Sequence, residues 1–203
     1  SLVFIEPKEE FRILADAASE VATSVKSIIT TEPDHWLVQD EAGGITKVAL
    51  DESGRPGASR RLAGFHAGPI NGLEVSRVSD HAVTVGQDGT VRVFAYVEKR
   101  EVYAARFNAP ATSLALAPAR VDEESRVHVV GFEDGVVRVL LRCADRWQLL
   151  DCVKPHDERV TCALYAPKGA FLATGSHDGR VFFFSVTGAP GAGLEPVGFS
   201  TPP

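Results

Sequence analysis

Short apolar runs recur along the chain, each split in two by an Asp-Gly pair. Ala82-Val83-Thr84-Val85 precedes Asp88-Gly89 and Val91-Arg92-Val93-Phe94 follows it. Val127-His128-Val129-Val130 and Val136-Val137-Arg138-Val139-Leu140 flank Asp134-Gly135, and Phe171-Leu172-Ala173-Thr174 and Val181-Phe182-Phe183-Phe184 flank Asp178-Gly179. Glycine takes positive φ without a steric penalty and an Asp carboxylate accepts turn amides, so each unit predicts a tight β-hairpin. The flanking residues are apolar at successive positions instead of alternating with polar ones, the pattern of strands covered on both faces. Phe182 to Phe184 are therefore expected to lie between two neighbouring layers.

The unit repeats at a nearly fixed interval: Gly135 follows Gly89 by 46 residues and Gly179 follows Gly135 by 44. A weaker copy, Ala42-Gly43-Gly44-Ile45, places Gly43 another 46 residues upstream of Gly89. A further apolar run precedes each hairpin (Ile70 to Val75, Ser113 to Ala117, Val160 to Tyr165), and another follows it (Val102 to Phe107, Trp147 to Val153). Four strands per period, stacked face to face, predict an all-β chain: a β-propeller fragment of about four to five four-stranded antiparallel blades. Residues 25–187 are expected to hold four blades. Residues 1–24 read as the last strands of a preceding blade (Leu2-Val3-Phe4-Ile5 and Phe11-Arg12-Ile13-Leu14), although Phe11, Leu14, Ala15, Ala18, Val21, Ala22 and Val25 also fit helical spacing. Residues 188–203, with four Gly and four Pro, read as a linker or tail.

Polar residues repeat as well. His66 precedes Asp88 by 22 residues and His156 precedes Asp178 by 22; Thr84 and Thr174 lie four before those aspartates, and Phe94 and Phe184 six after. One strand down and the next up returns the His of the inter-blade loop to the Asp turn, where a shielded His–Asp–Thr network would satisfy the turn's polar groups. Asp134 occupies the same turn in the third unit. The repeated set resembles WD repeats, which have a His at the blade entrance, Ser/Thr and Asp around the second turn, and Trp on the third strand. Phe94, Leu140 and Phe184 stand where that pattern has Trp, the third unit has no entrance His, and the first lacks both Asp and His. Those two blades are expected to rely on apolar packing.

Charge narrows the partners. The 27 acidic residues outnumber the 21 basic ones, giving a formal charge of −6, so no positive field collects nucleic acid or anionic lipid. No apolar run reaches the roughly 18 residues of a membrane helix, and neither a membrane nor nucleic acid is an expected partner. Cys143, Cys152 and Cys162 are read as reduced core thiols, and the absence of methionine, position 1 included, is expected of a piece of a longer product. Asp122-Glu123-Glu124 and Glu9-Glu10 read as solvated loop faces.

Chemistry is sparse. Ser176-His177-Asp178 has the residue types of a hydrolase triad, but strand neighbours point to opposite faces and do not line up as nucleophile, base and orienter. His156-Asp157-Glu158 lacks metal spacing, and no Gly-rich loop opens a helix. No catalytic residue, metal or cofactor is expected, and the reading is of a binding protein. Gln87, Glu133 and His177, each just before a turn Asp, are expected to be exposed on one loop face as candidate partner contacts.

Several phrases exceed the generic repeat: Gly43-Gly44-Ile45-Thr46-Lys47-Val48, Val129-Val130-Gly131-Phe132-Glu133-Asp134-Gly135-Val136-Val137-Arg138-Val139-Leu140, and Lys154-Pro155-His156 leading to Phe182-Phe183-Phe184. They resemble the cilia- and flagella-associated WD-repeat proteins of the inner-arm dynein tether complex. The resemblance implies a non-enzymatic scaffold of the ciliary or flagellar axoneme, a cytoskeletal structure within the cytoplasm. It implies three partners: a paralogous WD-repeat tether protein, inner-arm dynein and doublet microtubule proteins. A general cytoplasmic WD-repeat adaptor for trafficking or ubiquitin ligase assembly shares the same structural features and is the alternative.

Overall fold

The computed structural model describes residues 2–6, 12–17, 25–32, 35–41, 43–49, 59–186 and 193–201. The chain divides into two compact units, Ser1–Ala67 and Gly68–Pro203. In the first, β1 (Leu2–Glu6) pairs with β2 (Arg12–Ala17), and β3 (Val25–Glu32), β4 (His35–Asp40), β5 (Gly44–Ala49) and β6 (Arg60–Gly64) form a four-stranded sheet. The second unit holds three more four-stranded sheets. These are β7 (Ile70–Val75) to β10 (Arg100–Arg106) through β8 (His81–Gly86) and β9 (Thr90–Ala95); β11 (Ala111–Leu116) to β14 (Trp147–Val153) through β12 (Val127–Phe132) and β13 (Val137–Arg142); and β15 (Val160–Tyr165) to β18 (Leu194–Ser200) through β16 (Phe171–Ser176) and β17 (Val181–Val186). Every pairing is antiparallel and every four-stranded sheet runs in chain order, as a meander of blades requires. No helix occurs among the described residues.

The registers superimpose from blade to blade. Val85 pairs with Val91, Gly131 with Val137 and Gly175 with Val181, so one set of positions serves all three sheets. Alternation along each strand then fixes two faces. Val83, Val85, Val91 and Val93 on one face of β8 and β9 pack on Val130, Phe132 and Leu140 of the next sheet. The opposite face of that sheet, with Ala115, Val127, Val129, Val137 and Val139, packs on Val160, Tyr165, Leu172 and Phe184. Apolar residues at successive positions are thus shared out between two neighbours, which accounts for the lack of simple alternation in the sequence.

Four expectations need correction. Phe183 is 40% exposed, while Phe184 beside it is buried, because Phe183 points away from the preceding sheet and belongs to the last blade described. Residues 194–200, read as part of a tail, are the outer strand β18; Pro196 lies on that outermost strand, where a missing N–H costs no ladder bond. Cys152 and Cys162 are exposed, one on an outer strand and one on the outward face of the last sheet. Asp122 is buried: its carboxylate accepts N–H bonds from Glu124, Arg126 and Val127 and so holds the loop that enters β12.

Candidate functional site

The polar constellation starts from the second turn of each blade. Gly89, Gly135 and Gly179 all adopt φ between 75° and 79°, and the N–H of each closes the turn onto the carbonyl of Gly86, Phe132 or Ser176. One carboxylate oxygen of Asp88, Asp134 and Asp178 accepts the N–H two residues on, from Thr90, Val136 and Arg180 at 3.0, 3.1 and 2.8 Å. At Gly135 a side chain would also strike the incoming loop, since a Cβ there would lie 2.2 Å from the His156 carbonyl oxygen. The first unit does have a turn carboxylate: Asp40, before the turn instead of within it, accepts the Gly44 N–H at 2.7 Å.

His156 closes the network in the last blade. It is buried, its Nε2 lies 2.9 Å from the Thr174 hydroxyl, and its Nδ1 lies 3.7 Å from Asp178, an electrostatic contact longer than a hydrogen bond. Burial holds the imidazole below its ordinary pKa, with Asp178 pulling the other way. Asp178 itself, although burial opposes its charge, is held below the usual carboxylate range by N–H groups of Arg180 and Asp157 and by His156. The ring edge meets Phe182, centroids 5.0 Å apart. His156→Ala is expected to cost about 1–3 kcal/mol by stripping the buried Thr174 hydroxyl of its partner, measured as a shift in urea midpoint at constant slope.

The third blade solves the same problem differently. In the third unit Phe107 stands where His156 stands in the fourth, in edge contact with Phe132 (5.1 Å), and Arg138 stacks over Phe132 at 4.2 Å from its centroid. Apolar packing therefore replaces the His, as the sequence suggested, with a guanidinium added; Asp134, with no imidazole over it, is exposed. In the second unit, Asp88 accepts the Thr90 hydroxyl at 2.8 Å, Thr90 accepts Arg92 Nε at 3.1 Å, and the buried Arg92 pairs with Glu101. Sequence reasoning missed this chain, although Thr90 and Arg92 are the polar residues of otherwise apolar β9 and Glu101 lies on its partner strand β10. Thr84 is buried, and Asp88, Phe94 and His66 are half-buried.

Between the second and third blades His128 is buried against the edge of Trp147, its Nδ1–H donating to the Arg126 carbonyl at 3.0 Å. Burial depresses its pKa to about 4, with the Arg126 bond opposing and Arg142 assisting. Above the unfolded pKa of about 6.5 both states are neutral; below it the unfolded chain takes the proton first, so stability falls with pH between those two values. The full loss is about 3 kcal/mol. His128→Phe is expected to flatten the dependence of urea midpoint on pH across that window.

The candidate contact residues lie at one register position of adjacent blades and are exposed. Gln87 Nε2 donates to Glu133 at 3.1 Å, and His177 Nδ1 lies 3.0 Å from Glu158. Ser176 donates instead to the Glu158 carbonyl at 3.1 Å, so Ser176 and His177 both turn to Glu158 while Asp178 turns to His156, and the three form no triad. At the opposite ends of the first strands, a cleft of about 390 Å³ is lined by Glu74, Arg77, Leu116, Pro118, Leu164 and Tyr165. Burial raises the Glu74 pKa there, against the pull of Arg77.

Repeated four-stranded antiparallel sheets, with Asp-Gly at their second turns and a buried His–Thr pair beside one of them, define a β-propeller of the WD-repeat class. The family model described as "WD domain, G-beta repeat" matches residues 147–185, from the outer strand of one sheet into β17 of the next. Residues 147–185 thus carry a WD repeat of that family. It is 35% identical to mouse Cilia- and flagella-associated protein 44, matched over 100% of this chain and 11% of that protein. It is 31% identical to Chlamydomonas reinhardtii Cilia- and flagella-associated protein 44, over 78% of this chain and 9% of that protein. The chain thus spans about a tenth of the length of these curated relatives. The crystal structure of Saccharomyces cerevisiae Sqt1 has the same fold, with a TM-score of 0.60, 14% identity, and coverage of 98% of this chain and 57% of that one.

Proposed function

We propose that the protein is a non-enzymatic WD-repeat scaffold of the ciliary or flagellar axoneme. The observation that carries this reading is the similarity, along the whole chain to a mouse protein and along 78% of it to a Chlamydomonas reinhardtii protein, to two proteins that share the name Cilia- and flagella-associated protein 44. Its work is to hold inner-arm dynein to the doublet microtubule together with a paralogous WD-repeat tether protein, as the resemblance of the third-unit phrase and the Lys-Pro-His entrance implies. The polar groups that resemble catalytic ones are spent on turns, which leaves surface recognition as the available activity. A stack of blades suits it, because a rigid body with several loop-lined faces grips one partner without releasing another. Gln87, Glu133 and His177 are the contacts assigned to one such face.

The test is localisation of the tagged full-length protein combined with loss of the gene product. Axonemal tag, assembled axonemes, abnormal beating and missing density between the dynein head and the doublet in cryo-tomography are expected. A cytosolic tag with unchanged density would replace this reading by that of a general cytoplasmic adaptor.

A further inference from the structure

At the end of the junction between the second and third blades that lies away from the Asp-Gly turns, the valine core gives way to polar side chains. His81 starts β8 and Arg142 ends β13. Tyr103 pairs opposite Val93, and Arg142 opposite Trp147. Alternation therefore turns His81, Tyr103, Arg142 and Trp147 into this junction, on the faces that carry Val83, Val93 and Leu140. The Tyr103 and Trp147 rings meet edge to face, centroids 5.7 Å apart. Three polar atoms of this group are buried without a hydrogen-bond partner: Tyr103 Oη, Arg142 Nε and Trp147 Nε1. All three belong to donors. Arg142 is half-buried and, unlike Arg92 and Arg126, has no carboxylate in ion-pair contact among the described residues.

The oxygen that His81 and Arg142 share is a neutral hydroxyl. Ser79 Oγ, on the loop between β7 and β8, lies 3.0 Å from His81 Nδ1 and 3.5 Å from Arg142 Nη2. Its proton goes to Ser76 Oγ at 2.9 Å, and Ser76 Oγ also accepts the main-chain N–H groups of Val78 and Ser79 at 3.3 and 3.2 Å, which fixes the loop. One long contact to a hydroxyl leaves most of the guanidinium's five donors unspent. Burial, and after it Arg142, hold His81 below its ordinary pKa against the pull of Asp80 and Glu98. The carboxylates keep to the solvent edge: Asp80, Glu98 and Asp145 are exposed, and Glu98 pairs with Arg100. The site thus has a surplus of donors contributed by two sheets. A phosphoryl group, with three strong acceptor oxygens and a charge approaching −2, is the chemistry that answers them together.

We propose that this end of the junction is a phosphoryl-binding site, in which Arg142 of the third blade and His81 of the second hold one phosphoryl group, carried on Ser79 Oγ or bound as free phosphate. In the covalent form a kinase transfers the terminal phosphoryl of a nucleoside triphosphate. The Ser79 Oγ–P bond forms, the bond from that phosphorus to the leaving nucleoside diphosphate breaks, and the hydroxyl proton passes to the kinase's base. Arg77, Val78 and Asp80 are exposed around Ser79, so the loop is open to such an enzyme. In either form charge-assisted bonds join the 76–80 loop to the end of β13 and clasp the second blade to the third.

The test follows main-chain hydrogen exchange by mass spectrometry in the full-length protein, in peptides covering 76–81 and 140–147. In the first arm the protein is treated with phosphatase and inorganic phosphate is titrated in against chloride at equal ionic strength. Exchange in both peptides is expected to slow saturably, about elevenfold at roughly ten times the dissociation constant if local opening releases the ion. Arg142→Gln and His81→Gln are each expected to abolish that response while leaving exchange in β15–β18 unchanged. In the second arm protein isolated from its native cells is compared before and after phosphatase, and Ser79 is inspected for a phosphoryl group. Slowing by free phosphate alone identifies the ion as the ligand, and phosphorylated Ser79 with slower exchange before treatment identifies the covalent source. No slowing in either arm would overturn the proposal, as would a response to phosphate that both variants retain.

Discussion

Phe132→Ala is expected to destabilise the protein by about 3–5 kcal/mol, the range for deleting a large aromatic side chain from a well-packed core. Phe132 is fully buried at the end of β12, between the valines of the preceding sheet and the guanidinium of Arg138. Its loss removes apolar burial, the edge contact with Phe107 and the ring under Arg138 together, and the neighbouring strands are too tightly paired to collapse into the space. Equilibrium urea unfolding measures it. The same change at Phe183 is expected to cost much less in this chain because that side chain is already 40% exposed, so the difference between the two phenylalanines separates a closed junction from an open one. A cost for Phe132→Ala below about 1 kcal/mol would place β12 at a surface and contradict the stacking of the second and third blades.

Glu101→Ala is expected to cost about 3 kcal/mol. Arg92 is 1% exposed and pairs with Glu101, so deleting the carboxylate takes one ion-pair partner from a buried guanidinium. The lower part of the range for a broken buried pair applies because Glu101 still meets water. Replacing both residues, Arg92→Met with Glu101→Ala, is expected to recover most of the loss, since no charge is then buried. A double variant as unstable as the single one would show that Glu101 acts through packing and not through charge.

Much of this architecture was legible because turns and strands leave local signals. Asp-Gly marks a hairpin wherever it occurs, and repetition at nearly constant spacing turned three weak signals into a fold. What stayed hidden depends on partners distant in sequence. Residues 194–200 lack a β-branched run and contain Pro196, so only the edge of β17 makes them a strand. Asp122 reads as part of an acidic loop because nothing nearby shows that three main-chain N–H groups converge on it. His156 lies 2.9 Å from Thr174 and 3.7 Å from Asp178, a set the repeat spacing displays, whereas in the third unit Phe107 and Arg138 pack on Phe132 by chemistry the repeat pattern does not encode.

The central structural claim is that the His–Thr–Asp constellation of the fourth blade builds a turn. Its most direct test is an NMR titration of the His156 imidazole, following ring nitrogen and carbon shifts as pH is lowered. A structural, buried ring against Thr174 and Asp178 is expected to stay neutral through pH 7 and to titrate below the ordinary histidine value of about 6.5. A midpoint at or above that value would mean that Asp178 dominates over burial, that the ring is a charged and responsive group, and that its assignment to the architecture is wrong.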